Sequence, residues 1–277
     1  MSLKMMYDEV ADGYATESNR FGSISKSHEC AIQQISKIYL DKNSSLKMLD
    51  LGVGDGAFLQ KLHLLFPNTS FTGMDISAGM LKLAKTSLPQ MTTIEASASV
   101  ANQVLPHASQ SLVLAHFINA YIPIDTLLSQ VHSLLESEGY FSFITTTYDA
   151  FPNGHKKLKE YIAKNSLFSK ILRYFYRNGV KNTTVAKNQK ELIQKLKKHQ
   201  FEIVDHQRLN ISLSFNNIDE LRSFAVEGGW FLNALDKTFI PQKFAIKMAR
   251  PIINHNLAFP YEDIHCIDVV LARKCPS

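Results

Sequence analysis

The chain has little cysteine, a single tryptophan and no long apolar run. Tryptophan occurs once, at Trp230, and cysteine three times, at Cys30, Cys266 and Cys275. These scattered thiols show no C-x-x-C pair and no Cys/His ligand spacing. That excludes a disulfide framework and a thiolate metal site, and predicts reduced, structural thiols in a cytoplasmic protein with no metal. No stretch of about 18 apolar residues occurs, so no transmembrane helix is expected. The opening Met1-Ser-Leu-Lys-Met-Met-Tyr7 lacks the apolar core of a secretory signal. Neither charge sign dominates: 30 basic residues face 25 acidic ones, a net charge of +5. That excess by itself does not imply a nucleic-acid partner. What remains is 277 residues, 45% of them hydrophobic, enough to bury one large α/β core.

The most informative stretch is Met48-Leu-Asp-Leu-Gly-Val-Gly-Asp-Gly56. An apolar strand runs into three alternating glycines, and an amphipathic segment from Ala57 follows at once. Strand, tight turn and helix in this order let a ligand approach bare backbone while a helix N-terminus presents its free N–H groups. A second strand ends in Asp75, at the spacing that suits an acid holding ribose hydroxyls.

The rest of the chain alternates strand and helix. Strands are expected at Lys47–Leu51, Ser70–Asp75, Met91–Glu95, Ser111–Phe117, Tyr140–Thr146, Phe201–Leu213 and His265–Arg273. Helices are expected at Ser27–Leu40, Ala57–Phe66, Ala78–Ser87, Ile124–Leu135 (with Gly139 as its stop signal) and Asn188–Gln200. This pattern predicts an α/β fold: a Rossmann-like, doubly wound, mostly parallel seven-stranded sheet with helical lid insertions. Residues 1–277 read as one domain. Residues 1–45 form an N-terminal helical cover, 46–150 the cofactor-binding core, and 151–186 a basic and aromatic lid. Residues 187–213 with 263–277 complete the sheet, and 214–262 form a second lid.

Two cofactors compete for the glycine turn. Gly52-Val-Gly54-Asp-Gly56-Ala57 also satisfies the dinucleotide fingerprint, which would make the protein an NAD(P)-dependent oxidoreductase. The acids argue otherwise. Asp55 would set a negative charge where a pyrophosphate must meet the helix N-terminus. A sulfonium cation with an α-amino group is instead favoured by acids near the loop.

At these residues the chain resembles the class I S-adenosylmethionine-dependent methyltransferase family, small-molecule branch. Asp50-Leu-Gly52-Val-Gly54-Asp-Gly56 is similar to its D/E-x-G-x-G-x-G motif. Phe71-Thr-Gly-Met-Asp75-Ile-Ser77-Ala-Gly-Met80 is similar to its second motif, and Tyr7-Asp8-Glu-Val-Ala11-Asp-Gly-Tyr14 to its opening. The resemblance implies S-adenosyl-L-methionine as cofactor, with contacts at Tyr14, Asp50, Gly52, Val53, Gly54, Gly56, Asp75, Ile76, Met80, Ser97, Ala98 and His116. Ser97 stands where family members often carry an acid, so the adenine amino group falls to Ser97, a backbone group or Glu95.

The methyl acceptor belongs at the end of the fourth strand, where open α/β sheets bind ligands. His116 is the ionisable residue there, a candidate general base or donor to an acceptor oxygen. Tyr7, Asn119, Tyr121 and Trp230 are candidates for the acceptor pocket. Segment 155–198 holds 13 Lys or Arg against two glutamates. It is either a solvated basic face or a surface for an anionic acceptor, an acidic carrier protein or a membrane. The expected activity is methyl transfer to oxygen or nitrogen of a small, anionic, lipid-like or carrier-bound molecule. Methylation of RNA or protein, or a binding role without catalysis, would also fit these residues. The acid-Pro-Pro-aromatic signature of amino-directed nucleic-acid enzymes is missing, which weighs against nucleic acid.

Overall fold

The computed structural model describes residues 18–39, 45–163, 169–170, 173, 183–227 and 257–276. Seven strands form one sheet: β1 (Lys47–Leu51), β2 (Ser70–Asp75), β3 (Thr92–Glu95), β4 (Gln110–His116), β5 (Leu135–Thr145), β6 (Phe201–Phe215) and β7 (Tyr261–Lys274). Their order is β3-β2-β1-β4-β5-β7-β6. The first five strands are parallel, and β7 runs antiparallel to both β5 and β6. The chain winds outward from β1 to β3, then returns to lay β4 on the other side of β1. That reversal of direction is where an open α/β sheet leaves a crevice at its carboxyl edge.

The helices are α1 (Ser23–Ile38), α2 (Ala57–Leu65), α3 (Ala78–Ser87), α4 (Ala101–Val104), α5 (Ile124–Leu134), α6 (Pro152–Ala163), α7 (Gln189–Lys198) and α8 (Ile218–Arg222). On one face, Ile35, Phe58, Leu62 and Leu81 from α1, α2 and α3 pack with Met48, Leu112, Leu114 and Val269. On the other, Leu127, Val131, Leu192 and Leu196 from α5 and α7 pack with Val113, Phe141, Phe143 and Val270. Covering both faces explains why the central strands read as continuous apolar runs.

Strands and helices fall where the periodicity puts them, with instructive departures. Helix α5 stops at Leu134, because Leu135 is drawn into pairing with Gln110. Gly139 is therefore not a helix stop. Glu138 takes the left-handed turn instead, at φ 61°, while a Cβ at Gly139 would lie 3.1 Å from the Glu136 carbonyl oxygen. Strands β6 and β7 run longer than their apolar cores suggest, since their antiparallel register continues out to Phe215 opposite Tyr261. Asp263, within this extension, caps α6: its carboxylate accepts from the N–H groups of Asn153 (3.0 Å) and Gly154 (2.8 Å).

Candidate active site at the sheet crossover

The glycine turn is pinned to the neighbouring strand. Gly52 N–H and Val53 N–H both donate to the Met74 carbonyl, at 2.7 and 3.0 Å. The turn needs left-handed backbone, with Gly54 at φ 54° and Gly56 at φ 76°. Their surroundings differ. A Cβ on Gly56 would sit 2.9 Å from Ala84 Cα on α3, whereas one on Gly54 would meet nothing within 4 Å. Gly56 therefore permits helix packing, and Gly54 leaves the backbone open to the cleft.

Asp75, at the tip of β2, ties the turn together. One carboxylate oxygen accepts from Gly54 N–H at 3.1 Å and the other from Ser77 N–H at 2.9 Å. Ser77 in turn caps α3 by accepting from Met80 N–H. Beneath the turn, Asp50 is buried. Burial, reinforced by the charges of Asp75 and Asp55, pushes its carboxyl up to about 8. Its Oδ1 has no hydrogen-bond partner among the described residues. A buried, unpaired acid under an open backbone cradle fits a cationic ligand, and so fits S-adenosylmethionine. Gly52, Gly54 and Asp75 would hold that cofactor, with Asp50 below them as a carboxyl whose ionised form the cation would favour. When bound it supplies a methyl group on a positively charged sulfur.

The cleft itself is lined by Gly52, Gly54, Met74, Asp75, Ile76, Met80, Ala96, Ser97, Ala98, His116, Phe117, Ile118, Tyr121 and Ile122. Of the residues expected from the sequence, this brings together Gly52, Gly54, Asp75, Ile76, Met80, Ser97, Ala98, His116 and Tyr121. Val53 packs its methyl groups against Gly73 below the turn. Ser97 bonds to Ser99, Oγ to Oγ at 2.8 Å, and caps the 3-10 turn Ala98–Val100. Glu95 is exposed and lies outside the lining. Asn119 is fully buried and donates to Thr145 Oγ1 at 3.3 Å, away from the lining set. Tyr7, Tyr14 and Trp230 lie outside the described residues.

The sequence reading missed the apolar wall Phe117, Ile118 and Ile122. Its signal was the run Phe117-Ile-Asn-Ala-Tyr-Ile122 just past β4, apolar or aromatic apart from Asn119. Phe117 is held at φ 59° with its N–H on the Ile144 carbonyl, an unfavourable backbone for a bulky side chain of the kind found at ligand sites. Also missed were the neighbours of His116. Its Nε2 lies 3.1 Å from Ser142 Oγ. Its ring packs edge-on to Phe58, with centroids 4.4 Å apart, and beside His28 at 5.5 Å. Burial, then the nearby His28, hold His116 well below the usual imidazole range. Burial, then Lys61, take His28 down to about 4. Both imidazoles are therefore neutral at pH 7. No local pattern could reveal this cluster, because α1, α2, β4 and β5 meet only in the folded chain.

Fold and site together fit an α/β protein with a cleft for a cationic nucleoside cofactor at its sheet crossover. Residues 48–139 match the family model of the methyltransferase domain, and in fold and motifs the chain is similar to the class I S-adenosylmethionine-dependent methyltransferases. It is an enzyme that uses S-adenosylmethionine, so the dinucleotide alternative falls. It is 26% identical over 228 residues to the ubiquinone/menaquinone biosynthesis C-methyltransferase UbiE of Campylobacter jejuni, covering 76% of this chain and 93% of that one. A shorter match, 27% over 86 residues, joins it to the malonyl-[acyl-carrier protein] O-methyltransferase of Bacillus cereus, covering 31% of this chain and 32% of that one. In fold it is similar to an S-adenosylmethionine-dependent methyltransferase of Methanosarcina mazei, at 15% identity and a TM-score of 0.50, over 88% of this chain and 98% of that one.

Proposed function

We propose that the protein methylates oxygen or carbon of a small, largely apolar acceptor seated against His116, Phe117, Ile118 and Tyr121. The observation that carries this reading is the half-buried, neutral His116 set beside the apolar Phe117, Ile118 and Ile122. Methyl transfer is an in-line displacement, and much of its rate comes from holding the two reacting atoms in line at near contact. A rigid apolar wall supplies that and excludes water. Chemistry then discriminates among nucleophiles. An alkylammonium acceptor, at about 10, must lose a proton before it can attack. An imidazole suppressed by burial is too weak a base to take it. Oxygen anions and electron-rich ring carbons need no such base. The sequence alone suggested oxygen or nitrogen; the burial of His116 supports oxygen over nitrogen, and the likeness to a C-methyltransferase adds carbon.

The lysine-rich segment supports an acceptor with anionic character. Lys156, Lys157 and Lys159 are exposed on α6, and Lys190, Lys197 and Lys198 on α7. Lys195 is engaged by Asp125. We read this as a field that draws a negatively charged acceptor to the cleft, whether free or on an acidic carrier, with 151–186 and 214–262 as covers of the acceptor. Methyl transfer from labelled S-adenosylmethionine to matched phenols, quinols, carboxylic acids and amines tests the reading. Turnover is expected on the oxygen and ring-carbon acceptors. Turnover confined to amines would overturn it.

A further inference from the structure

The partner of His116 is itself unusual. Ser142 is fully buried in β5, among the leucines and isoleucine (Leu112, Leu114 and Ile144) that belong to the α1–α2–α3 side of the core. Leu114 is its register partner and His116 pairs with Ile144. Ser142 and His116 are therefore diagonal neighbours on one face of the sheet. The Ser142 hydroxyl has one hydrogen-bond partner among the described residues, His116 Nε2 at 3.1 Å. The other ring nitrogen, Nδ1, is closed to solvent and has no partner among them.

Two arrangements of the protons are open. If Nε2–H donates to Ser142 Oγ, the serine hydrogen is left without an acceptor in an apolar layer, and the desolvation of that group is uncompensated. If the Ser142 O–H donates to Nε2, the serine is satisfied and the ring proton sits on Nδ1. The second arrangement leaves one unpaired polar group instead of two, and that group belongs to a residue in the cleft wall. An enclosed N–H without a protein partner is compensated by an ordered water or by a molecule bound in the cleft.

We propose that Ser142 locks His116 as the neutral Nδ1–H tautomer, making it a hydrogen-bond donor to an acceptor that binds as an anionic oxygen, a carboxylate or a phenolate. Ser142 is then a positioning residue, and Phe58 and His28 fix the plane of the ring it orients. An oxygen anion accepts from Nδ1–H and brings a nucleophile that has no proton to lose. As the new bond to the methyl carbon forms, its charge is neutralised, and no base is required. The inference rests on the methyltransferase reading of the cleft for its substrate class, but the tautomer stands or falls without any turnover.

The test is long-range proton–nitrogen NMR on the full chain labelled with nitrogen-15 histidine and saturated with S-adenosylhomocysteine. His116 is assigned by the signal lost in His116→Gln. The wild type is expected to show the Nδ1–H pattern at His116, and Ser142→Ala to shift it to a mixture with Nε2–H. Ser142→Thr, which keeps the hydroxyl, should restore the wild-type pattern. Benzoate should move the His116 Nδ1 signal at concentrations where benzamide does not. An Nε2–H pattern in the wild type, or an unchanged pattern in Ser142→Ala, overturns the lock. Equal shifts with benzoate and benzamide overturn the anion. If the acceptor panel fails while the tautomer holds, the functional reading is at fault and Ser142 is not.

Discussion

Asp50 shows how one residue can be wrong for stability and right for binding. It is buried beneath the glycine turn with Oδ1 unpaired among the described residues, and it is pushed up from 3.8 to about 8. A carboxyl whose folded value lies above its unfolded value binds more protons in the folded state between those two values. The contribution of Asp50 to stability therefore falls as pH rises from about 4 to about 8, then levels off. Asp50→Asn should raise the melting temperature of the ligand-free protein, most at pH 8 and above, with the difference vanishing near pH 4. The same variant should bind S-adenosylmethionine at least tenfold more weakly at pH 9, where Asp50 is ionised, and the difference should shrink at pH 6, where Asp50 is protonated. Thermal-shift curves across pH and calorimetry measure the two effects. The acid at position 50 was legible from the motif. Its raised pKa was not, because that depends on burial and on Asp75 and Asp55 arriving from elsewhere in the fold.

Elements show the same division in the glycine turn. All three glycines look alike in the sequence, and all three have positive φ, yet they do different work. Replacing Gly54 by Ala forces a side chain into left-handed backbone, a cost of about 1–2 kcal/mol, but meets no steric obstacle. Gly54→Ala should therefore fold and lose cofactor affinity, its new methyl group standing in the cleft. Gly56→Ala carries the same backbone cost and drives its Cβ into Ala84 on α3. It should lower the melting temperature clearly more than Gly54→Ala does. Melting curves and cofactor titrations on the pair separate the two roles. The strands and helices around this turn were legible because their apolar periodicities of 2 and 3.6 are local properties. The ends were less so: α5 stops where pairing with Gln110 begins, and β7 extends as far as β6 stays in register.

The whole molecule carries an acid sensitivity built from its histidines. His28 and His116 are half-buried, His265 is fully buried, and all three are neutral, with His28 at about 4 and His265 at about 3. Their folded values lie below the ordinary 6.5. The stability they permit is present above about pH 6.5 and is lost as pH falls toward their folded values, since the unfolded chain takes up the protons first. Urea midpoints should drop steeply between pH 6.5 and pH 4, and the drop should be shallower in His28→Asn. The exposed lysines on α6 and α7 add a second molecular property. If they draw in an anionic acceptor, raising the salt from 50 to 300 mM should raise KM several-fold with little change in kcat. An uncharged acceptor should show no such dependence. Among the described residues no helix is long and apolar enough to cross a membrane.

The sequence by itself determined that a nucleoside cofactor belongs at the glycine turn, and its acids favoured S-adenosylmethionine over a dinucleotide. A strand, three alternating glycines, a helix and an acid-terminated second strand are contiguous, and contiguous chemistry survives being read in one dimension. It also determined the alternation that makes a mostly parallel sheet. Only the tertiary structure decided that β7 enters antiparallel between β5 and β6, since strand order depends on packing across the sheet. The environment of His116 was decided in the same way. Ser142, Phe58 and His28 come from three elements scattered along the chain, and what they do to one imidazole exists only once burial has removed water from around it.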